Sequence, residues 1–557
     1  MSTPLSRRSF LIGAATSAAA LLEACTRGGA HGPRSTVPAS VRSPSGVDAE
    51  RRKVLSEIPR EVINRVYNGH MPGRGGDIIL VPDGMNYVDG GISHSTSWPY
   101  VQDITMLWHG PGHIRAGQRV LRPVQSVDVA PTLAKLVGFN DFHAPDGEPM
   151  DEIFVPGAPP PKLVVMFVWD AGGRYVLNLH PTKWPNLRAL IPKGTWYENA
   201  TAGSGPSNTA PIHGNFGTGG YPRRHGILDN LVRFSDGVIG DPWERGPQEF
   251  LLETFADHYG GFAQSRAQIG LIAGLAWHLG MLGHGSQIQG NPRPIAILRQ
   301  SSFDTGAEGG GWGLPEVHRP YYRVPDYVNS LPPASAYFDA AQKIDGKDDG
   351  KWRGHTLKEL GGPFDTPARP PFMRRLIEEV IKREGFGRHE LPDLLFLNSK
   401  FIDVIGHEFS ASSLEEGDSI RAEDQSLPLL IDILDRQVGS GNWVLLLTAD
   451  HGHSAALDVS GASPIKVNAY DAALERVFDR PALESPVVRR TRPGWTFLNE
   501  QSLRQQGFDQ IQVADFVRTL TRADVQVDQS IVPPAKRGEP AFASAFPASM
   551  LESLIGR

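Results

Sequence analysis

One cysteine, Cys25, is all that the 557 residues contain, so no internal disulfide can form. There is no basic excess either: 61 acidic residues stand against 55 Lys and Arg, a net charge of −6. That removes the electrostatic footprint of a nucleic-acid binder, and no nucleic-acid partner is expected beyond a nucleotide substrate. The longest early apolar run, Phe10 to Leu22, is shorter than the ~20 residues needed to span a bilayer. No repeat with a period of about 20 to 50 residues is visible. Beyond His453 there is no histidine at all. What is present is a globular composition, 40% apolar and 21% charged, long enough for one large core with insertions or for two to three domains.

The N-terminal stretch "SRRSFLIGAATSAAALLEAC" places Arg7 and Arg8 before the apolar run and reads as an export signal of the twin-arginine type, residues 1–25. Cys25 ends "LLEAC", a lipoprotein-like cleavage context in which Glu23 departs from the usual small residue. A lipid anchor through Cys25 and a soluble periplasmic form therefore both stay open. Residues 26–50 begin with a Pro/Gly/Ser-rich stretch and are expected to form a flexible tether.

Short apolar runs then alternate with helix-like segments. "GDIILVPDG" (76–84), "DITMLWHGPG" (103–112), "KLVVMFVWDAGG" (162–173), "DLLFLNSKFID" (393–403) and "NWVLLLTADHG" (442–452) read as buried strands of an α/β sheet. Helices are expected at 128–137, 371–384 and 424–438. Residues 156–161, "PGAPPP", form a proline-rich junction. Residues 231–390 are Gly/Pro/aromatic-rich and strand-poor, and read as insertions or a cap outside the central sheet.

Three strand ends carry acids: Asp170, Asp403, and Asp450 followed by His451. In α/β folds, ligands bind beyond the carboxyl ends of strands, so these three can converge. His407 lies four residues after Asp403, on the same face if that segment is helical. Carboxylate oxygen with imidazole nitrogen suits zinc. Taken alone, an Asp closing a strand is most often a turn or helix cap, and Asp83 in "ILVPDGM" is such a case. Thr209, at a helix start with Pro211 in the first turn, is by itself an ordinary N-cap, yet free amides at such an end attract phosphate.

Together, "VWDAGG", "GTWYENATAGSGPSNTAPIHGNFGTGGYPRRHGILDN", "SKFIDVIGHEFS" and "LLLTADHGH" resemble the alkaline phosphatase superfamily, in its type I phosphodiesterase/nucleotide pyrophosphatase branch. The resemblance implies a mostly parallel central sheet flanked by helices on both faces. It also implies two Zn2+, one held by Asp170, Thr209, Asp450 and His451 and the other by Asp403 and His407. Thr209 would be the nucleophile, and Asn230 would bind a phosphoryl oxygen. The family's late histidine is missing from its usual place, whereas "GGISHSTSWPY…DVAPTL" at the front resembles the family's C-terminal stretch. This implies a circular permutation with His94 as the third ligand beside Asp403 and His407, and His453 as its rival. On this reading, 51–155 is the permuted segment, 156–230 and 391–530 form the catalytic core around the 231–390 cap, and 531–557 is a tail. His213, His225, His109 and His113 are expected to be structural.

The expected activity is hydrolysis of a small phosphate ester. "IGLIAGLAWHLGMLGHG" lacks the Lys and Arg by which monoesterases of the family hold a dianion, which favours a diester. Trp277 and the Trp312–Tyr322 region offer a stacking surface or simply core. A sulfatase is disfavoured, since no "C/S-x-P-x-R" context exists. An alkaline phosphomonoesterase, a phospho- or nucleotidyl-transferase and a non-catalytic metal-binding surface protein remain as alternatives.

Overall fold

The computed structural model describes residues 44–88, 91–300, 311–359, 365–479 and 485–556. The expected signal with Arg7, Arg8 and Cys25, and most of the tether, lie outside these residues. The helix Pro44–Glu57 takes up the end of the stretch read as tether. Among the described residues no helix is long and apolar enough to cross a membrane.

Nine strands build the central sheet, in the order 311–313, 295–300, 269–273, 393–399, 163–169, 443–448, 106–109, 195–197 and 118–120. The five central strands, 295–300 through 443–448, run parallel, whereas 106–109 pairs antiparallel with both of its neighbours and 311–313 pairs antiparallel at the far edge. The sheet is therefore mixed, with a parallel centre whose strands are buried on both faces.

Leu163–Trp169 shows why. Its seven residues are all buried, and successive side chains go to opposite faces: Val164, Met166 and Val168 to one core, Leu163, Val165, Phe167 and Trp169 to the other. Each such side chain contributes about 1.5–3 kcal/mol on burial. Helices cover both faces. Val129–Leu136 and Thr209–Thr218 pack on one, and Arg369–Arg383 and Leu414–Gln437 on the other.

Several expectations need correction. Residues 231–390 are not outside the central sheet, because 269–273, 295–300 and 311–313 are three of its strands. "GDIILVPDG" does form a strand, Ile78–Pro82, but in a separate four-stranded antiparallel sheet with Trp495–Leu498, Val488–Arg492 and Phe542–Pro547. Its apolar run reports burial on two faces, and those faces lie in two other cores. Phe542–Pro547 comes from the stretch read as a tail. The helix expected at 424–438 starts ten residues earlier, at Leu414, behind the cap Ser413.

Candidate active site

Leu163–Trp169 delivers Asp170 at its carboxyl end, and the next residue, Ala171, turns the chain at φ +61°. That left-handed conformation is rare for a residue with a Cβ and marks a constrained turn. The Ala171 amide donates to Asp450 Oδ1 at 3.1 Å, so the ends of two adjacent parallel strands are tied together. Trp443–Thr448 delivers Asp450 and His451, both fully buried. Asp393–Ser399 leads through Lys400 into the helix Phe401–Phe409, where Asp403 and His407 share one face as expected.

Thr209 is the first residue of the helix Thr209–Thr218 and is 2% exposed. The capping position belongs to Asn208, whose amide reaches Asp229 and whose carbonyl accepts from Ser95 Oγ, so Thr209 Oγ1 is free of cap duty. That oxygen lies 3.3 Å from His451 Nε2 and accepts from Lys400 Nζ at 3.1 Å. The same Nζ donates to Asp170 Oδ1 at 3.1 Å and to Asp403 Oδ2 at 2.5 Å.

The rest of Asp403 faces histidines. Its Oδ1 is 3.3 Å from His94 Nε2 and 3.5 Å from His407 Nε2. Donor atoms of His94, Asp403, His407 and His453 all lie within 4.8 Å of one another. His94 and His453, weighed as rivals, are thus brought together in one group. Gly406 makes this possible: a Cβ there would stand 2.8 Å from the His453 ring. Other protein atoms fix the imidazoles. His94 Nδ1 is 2.7 Å from the Ser207 carbonyl, and His407 Nδ1 is 2.6 Å from that of Ile92. Such bonds set the tautomer that leaves Nε2 toward a metal. Asp403 Oδ1 and His453 Nε2 are buried with no hydrogen-bond partner, as donors awaiting a cation would be. The residues fit a divalent ion.

Electrostatics follow the same division. Burial and the neighbouring His451 push His94 down to about 4, keeping it neutral and able to ligate. Burial opposes charge on His451 as well, but Asp450, Asp170 and Asp403 outweigh it and raise it to about 9. For Lys400, burial is likewise overcome by Asp170, Asp403 and Asp450, which hold its ammonium above the ordinary lysine range.

The remaining expected residues sort clearly. Asn230 is half-buried, with its amide oxygen buried and without a partner. His213 holds the Thr209 carbonyl at 2.8 Å through Nδ1. His225 contacts Asn215, while His109 and His113 face backbone carbonyls. Trp312 and Tyr322 are core, while Trp277 is half-buried and donates to Asp241 at 2.7 Å. Asp83 closes a strand of the other sheet, far from these partners in topology.

Three residues escaped sequence reasoning. Lys400 sits three residues before Asp403 inside a quoted motif, so its position was the available signal. His278, from the very stretch noted for lacking Lys and Arg, is 3.3 Å from Asp170 Oδ2. Asn398 donates to the same oxygen at 3.0 Å. With His213, Asp170 and His278 form a further cluster of metal-capable donors.

Residues 164–501 match the family model described as type I phosphodiesterase / nucleotide pyrophosphatase. The chain is 33% identical over 86 residues to the alkaline phosphatase PhoV of Synechococcus elongatus, covering 15% of this chain and 16% of that protein. It is 31% identical over 87 residues to the alkaline phosphatase PafA of Elizabethkingia meningoseptica, covering 16% of each. These alignments span only about a sixth of each relative's length. Among solved structures, a crystal structure of wild-type PafA aligns at 18% identity with a TM-score of 0.48, covering 65% of this chain and 76% of that one.

Proposed function

The chain belongs to the type I phosphodiesterase / nucleotide pyrophosphatase family, within the alkaline phosphatase superfamily, and we propose from that premise that it is an exported, metal-dependent phosphoric ester hydrolase acting through Thr209. The observation that carries this reading is the surroundings of Thr209 Oγ1. A hydroxyl at a helix N-terminus, relieved of capping, stands among Lys400, His451 and three buried carboxylates.

His94, Asp403, His407 and His453 would hold one divalent ion, zinc by their donor chemistry, and Asp170, Asp450 and His451 are the donors expected for a second. When bound, such ions stabilise the charge that develops on the transferring phosphoryl group. The chain's own residues do the remainder. Lys400 donates to Thr209 Oγ1 and so stabilises negative charge growing there. The first amides of Thr209–Thr218, which have no acceptor within the helix, would receive the incoming phosphate. Thr209 Oγ forms a bond to phosphorus as the ester P–O bond breaks, and the threonine proton ends on the departing alcohol. Water then cleaves the bond from Thr209 Oγ to phosphorus, restoring the hydroxyl and releasing a phosphate monoester when the substrate is a diester, or inorganic phosphate when it is a monoester.

A diester is the preferred substrate in this reading, because the three N–H groups of Lys400 are already given to Asp170, Asp403 and Thr209. A monoester is favoured instead if Lys400 turns its ammonium to the substrate. Initial rates on a nitrophenyl phosphate and on the matching bis-nitrophenyl diester separate the two. Thr209→Ala is expected to lower either rate by about 10³-fold or more; an unchanged rate would remove Thr209 as nucleophile.

Export rests on Arg7, Arg8 and the following apolar run, with Cys25 lipidated or removed. The permuted reading is supported by His94, which reaches Asp403 from a segment preceding the family match.

A further inference from the structure

Arg492 reaches the surroundings of Thr209 from the four-stranded sheet. It closes the strand Val488–Arg492 and pairs with Trp495 across a turn in which Gly494 takes φ +90°. A Cβ at Gly494 would stand 2.9 Å from the Pro206 ring, three residues before Thr209. The turn therefore lies directly against the segment that leads into the helix Thr209–Thr218, and a glycine in the left-handed conformation permits that approach.

Beside this turn the Arg492 guanidinium meets Asp229, whose side chain is fully buried. Arg492 Nε donates to Asp229 Oδ2 at 2.8 Å, and Nη2 donates to Oδ1 at 3.4 Å. Oδ1 also accepts from the Asn208 side-chain amide and, at 2.7 Å, from the backbone N–H of Asn230. Asn208 immediately precedes Thr209, and its own carbonyl accepts from Ser95 Oγ, next to His94. One carboxylate thus gathers the residue before the nucleophile, the residue expected to bind a phosphoryl oxygen, and an arginine of another sheet. Charge matters as much as geometry. A carboxylate beside Asn230 without its guanidinium would stand buried and uncompensated, and would repel a phosphate.

We propose that Arg492 is a positioning residue for phosphoryl transfer: through the Asp229 carboxylate it fixes Asn208 and Asn230 relative to Thr209, and it cancels the negative charge that Asp229 would otherwise hold toward the substrate. The inference rests on the reading of Thr209 as nucleophile and Asn230 as a phosphoryl-oxygen donor, and it gives the four-stranded sheet a part in that site.

The test is a mutant cycle on the full chain equilibrated with Zn2+, read as kcat/KM for a bis-nitrophenyl phosphate. Arg492→Met, checked for native circular dichroism, is expected to lower it about 10²-fold, the order of loss that a small misplacement of reacting groups produces. Asn230→Ala lowers it too, and the two together are expected to lose much less than the product of the single losses, because Arg492 acts through Asn230. A merely structural role would multiply them. Adding Asp229→Asn to Arg492→Met is expected to recover part of the loss, since it removes the unpaired charge and keeps an oxygen for Asn208 and Asn230. Arg492→Lys, which keeps the charge without the planar fork, is expected to lie between Arg492→Met and the wild type. If Arg492→Met does not fold, Arg492→Lys carries the same cycle. A wild-type rate in the folded variant, or losses that multiply with Asn230→Ala, overturns the proposal. Turnover that is lost in Thr209→Ala but indifferent to Arg492 rejects this proposal alone. No turnover by the wild type, or an unchanged rate in Thr209→Ala, rejects the underlying reading and the proposal with it.

Discussion

Glu423 shows how a single buried group leaves a mark on the whole chain. It lies in Leu414–Gln437, is 1% exposed, and accepts from Ser399 Oγ at the end of the strand leading to Lys400. Burial raises its carboxyl from 4.5 to about 7, against the pull of Ser399 and Arg369. A raised folded value means that the native state keeps a proton that the unfolded chain has lost. Stability from this group is therefore fully present below the unfolded value and declines as pH rises from 4.5 to about 7. Glu423→Gln, which mimics the protonated form, should flatten that decline. Urea unfolding across this interval measures it, and equal pH slopes in the two proteins would show that Glu423 does not titrate there. At this scale the sequence was partly legible. Asp170, Thr209, Asp403, His407, Asp450 and His451 carry recognisable spacing, whereas Lys400 and His278 look ordinary until folding sets their neighbours.

At the scale of the element, Leu414–Gln437 tells why helix boundaries were harder to read. Pro428 stands inside it and cannot donate to the carbonyl of Asp424, four residues earlier. A proline within a helical pattern reads as a break, yet this helix runs on. Asn186 Nδ2 donates to the orphaned Asp424 carbonyl at 3.2 Å, and the Asp424 carboxylate in turn accepts from the amides of Asn186 and Leu187 at 3.0 and 2.8 Å. The start of the short helix Pro185–Leu190 and the gap in Leu414–Gln437 thus repair each other. Asn186→Ala should cost about 1–3 kcal/mol by leaving that carbonyl unpaired. Ser413→Ala should cost about 1 kcal/mol by removing the bond from the Glu416 amide at 3.0 Å. Chemical denaturation of the two single variants checks both. If Asn186→Ala proved harmless, the interhelical repair would have no energetic weight.

For the whole molecule, the site exists because strands distant in sequence are adjacent in the sheet. Asp170, Asp403 and Asp450 follow strands that lie side by side in the order 393–399, 163–169, 443–448, and His94 arrives from a segment outside all three. An ion bound among them ties these segments together and stabilises only the folded chain. At a free concentration of 100 times Kd the stabilisation is about 2.7 kcal/mol. Chelation should therefore lower the melting temperature by a few degrees, Zn2+ should restore it, and His453→Ala should blunt the response. A melting temperature indifferent to chelator would deny the ion a place in the fold.

The sequence by itself determined the local part of this arrangement. Apolar runs with acids at their ends become strands with acids at their carboxyl ends, because alternation and turn chemistry act over a few residues. It also fixed the helical face shared by Asp403 and His407. Only the tertiary structure decided which sheet a run enters, and so sent Ile78–Pro82 elsewhere and brought 269–273, 295–300 and 311–313 into the centre. It alone placed both His94 and His453 beside Asp403 and set the Lys400 ammonium between Asp170 and Thr209. The reason is physical: strand order, close packing and the pairing of buried charge are satisfied over the whole chain at once, and no short stretch encodes its distant neighbours.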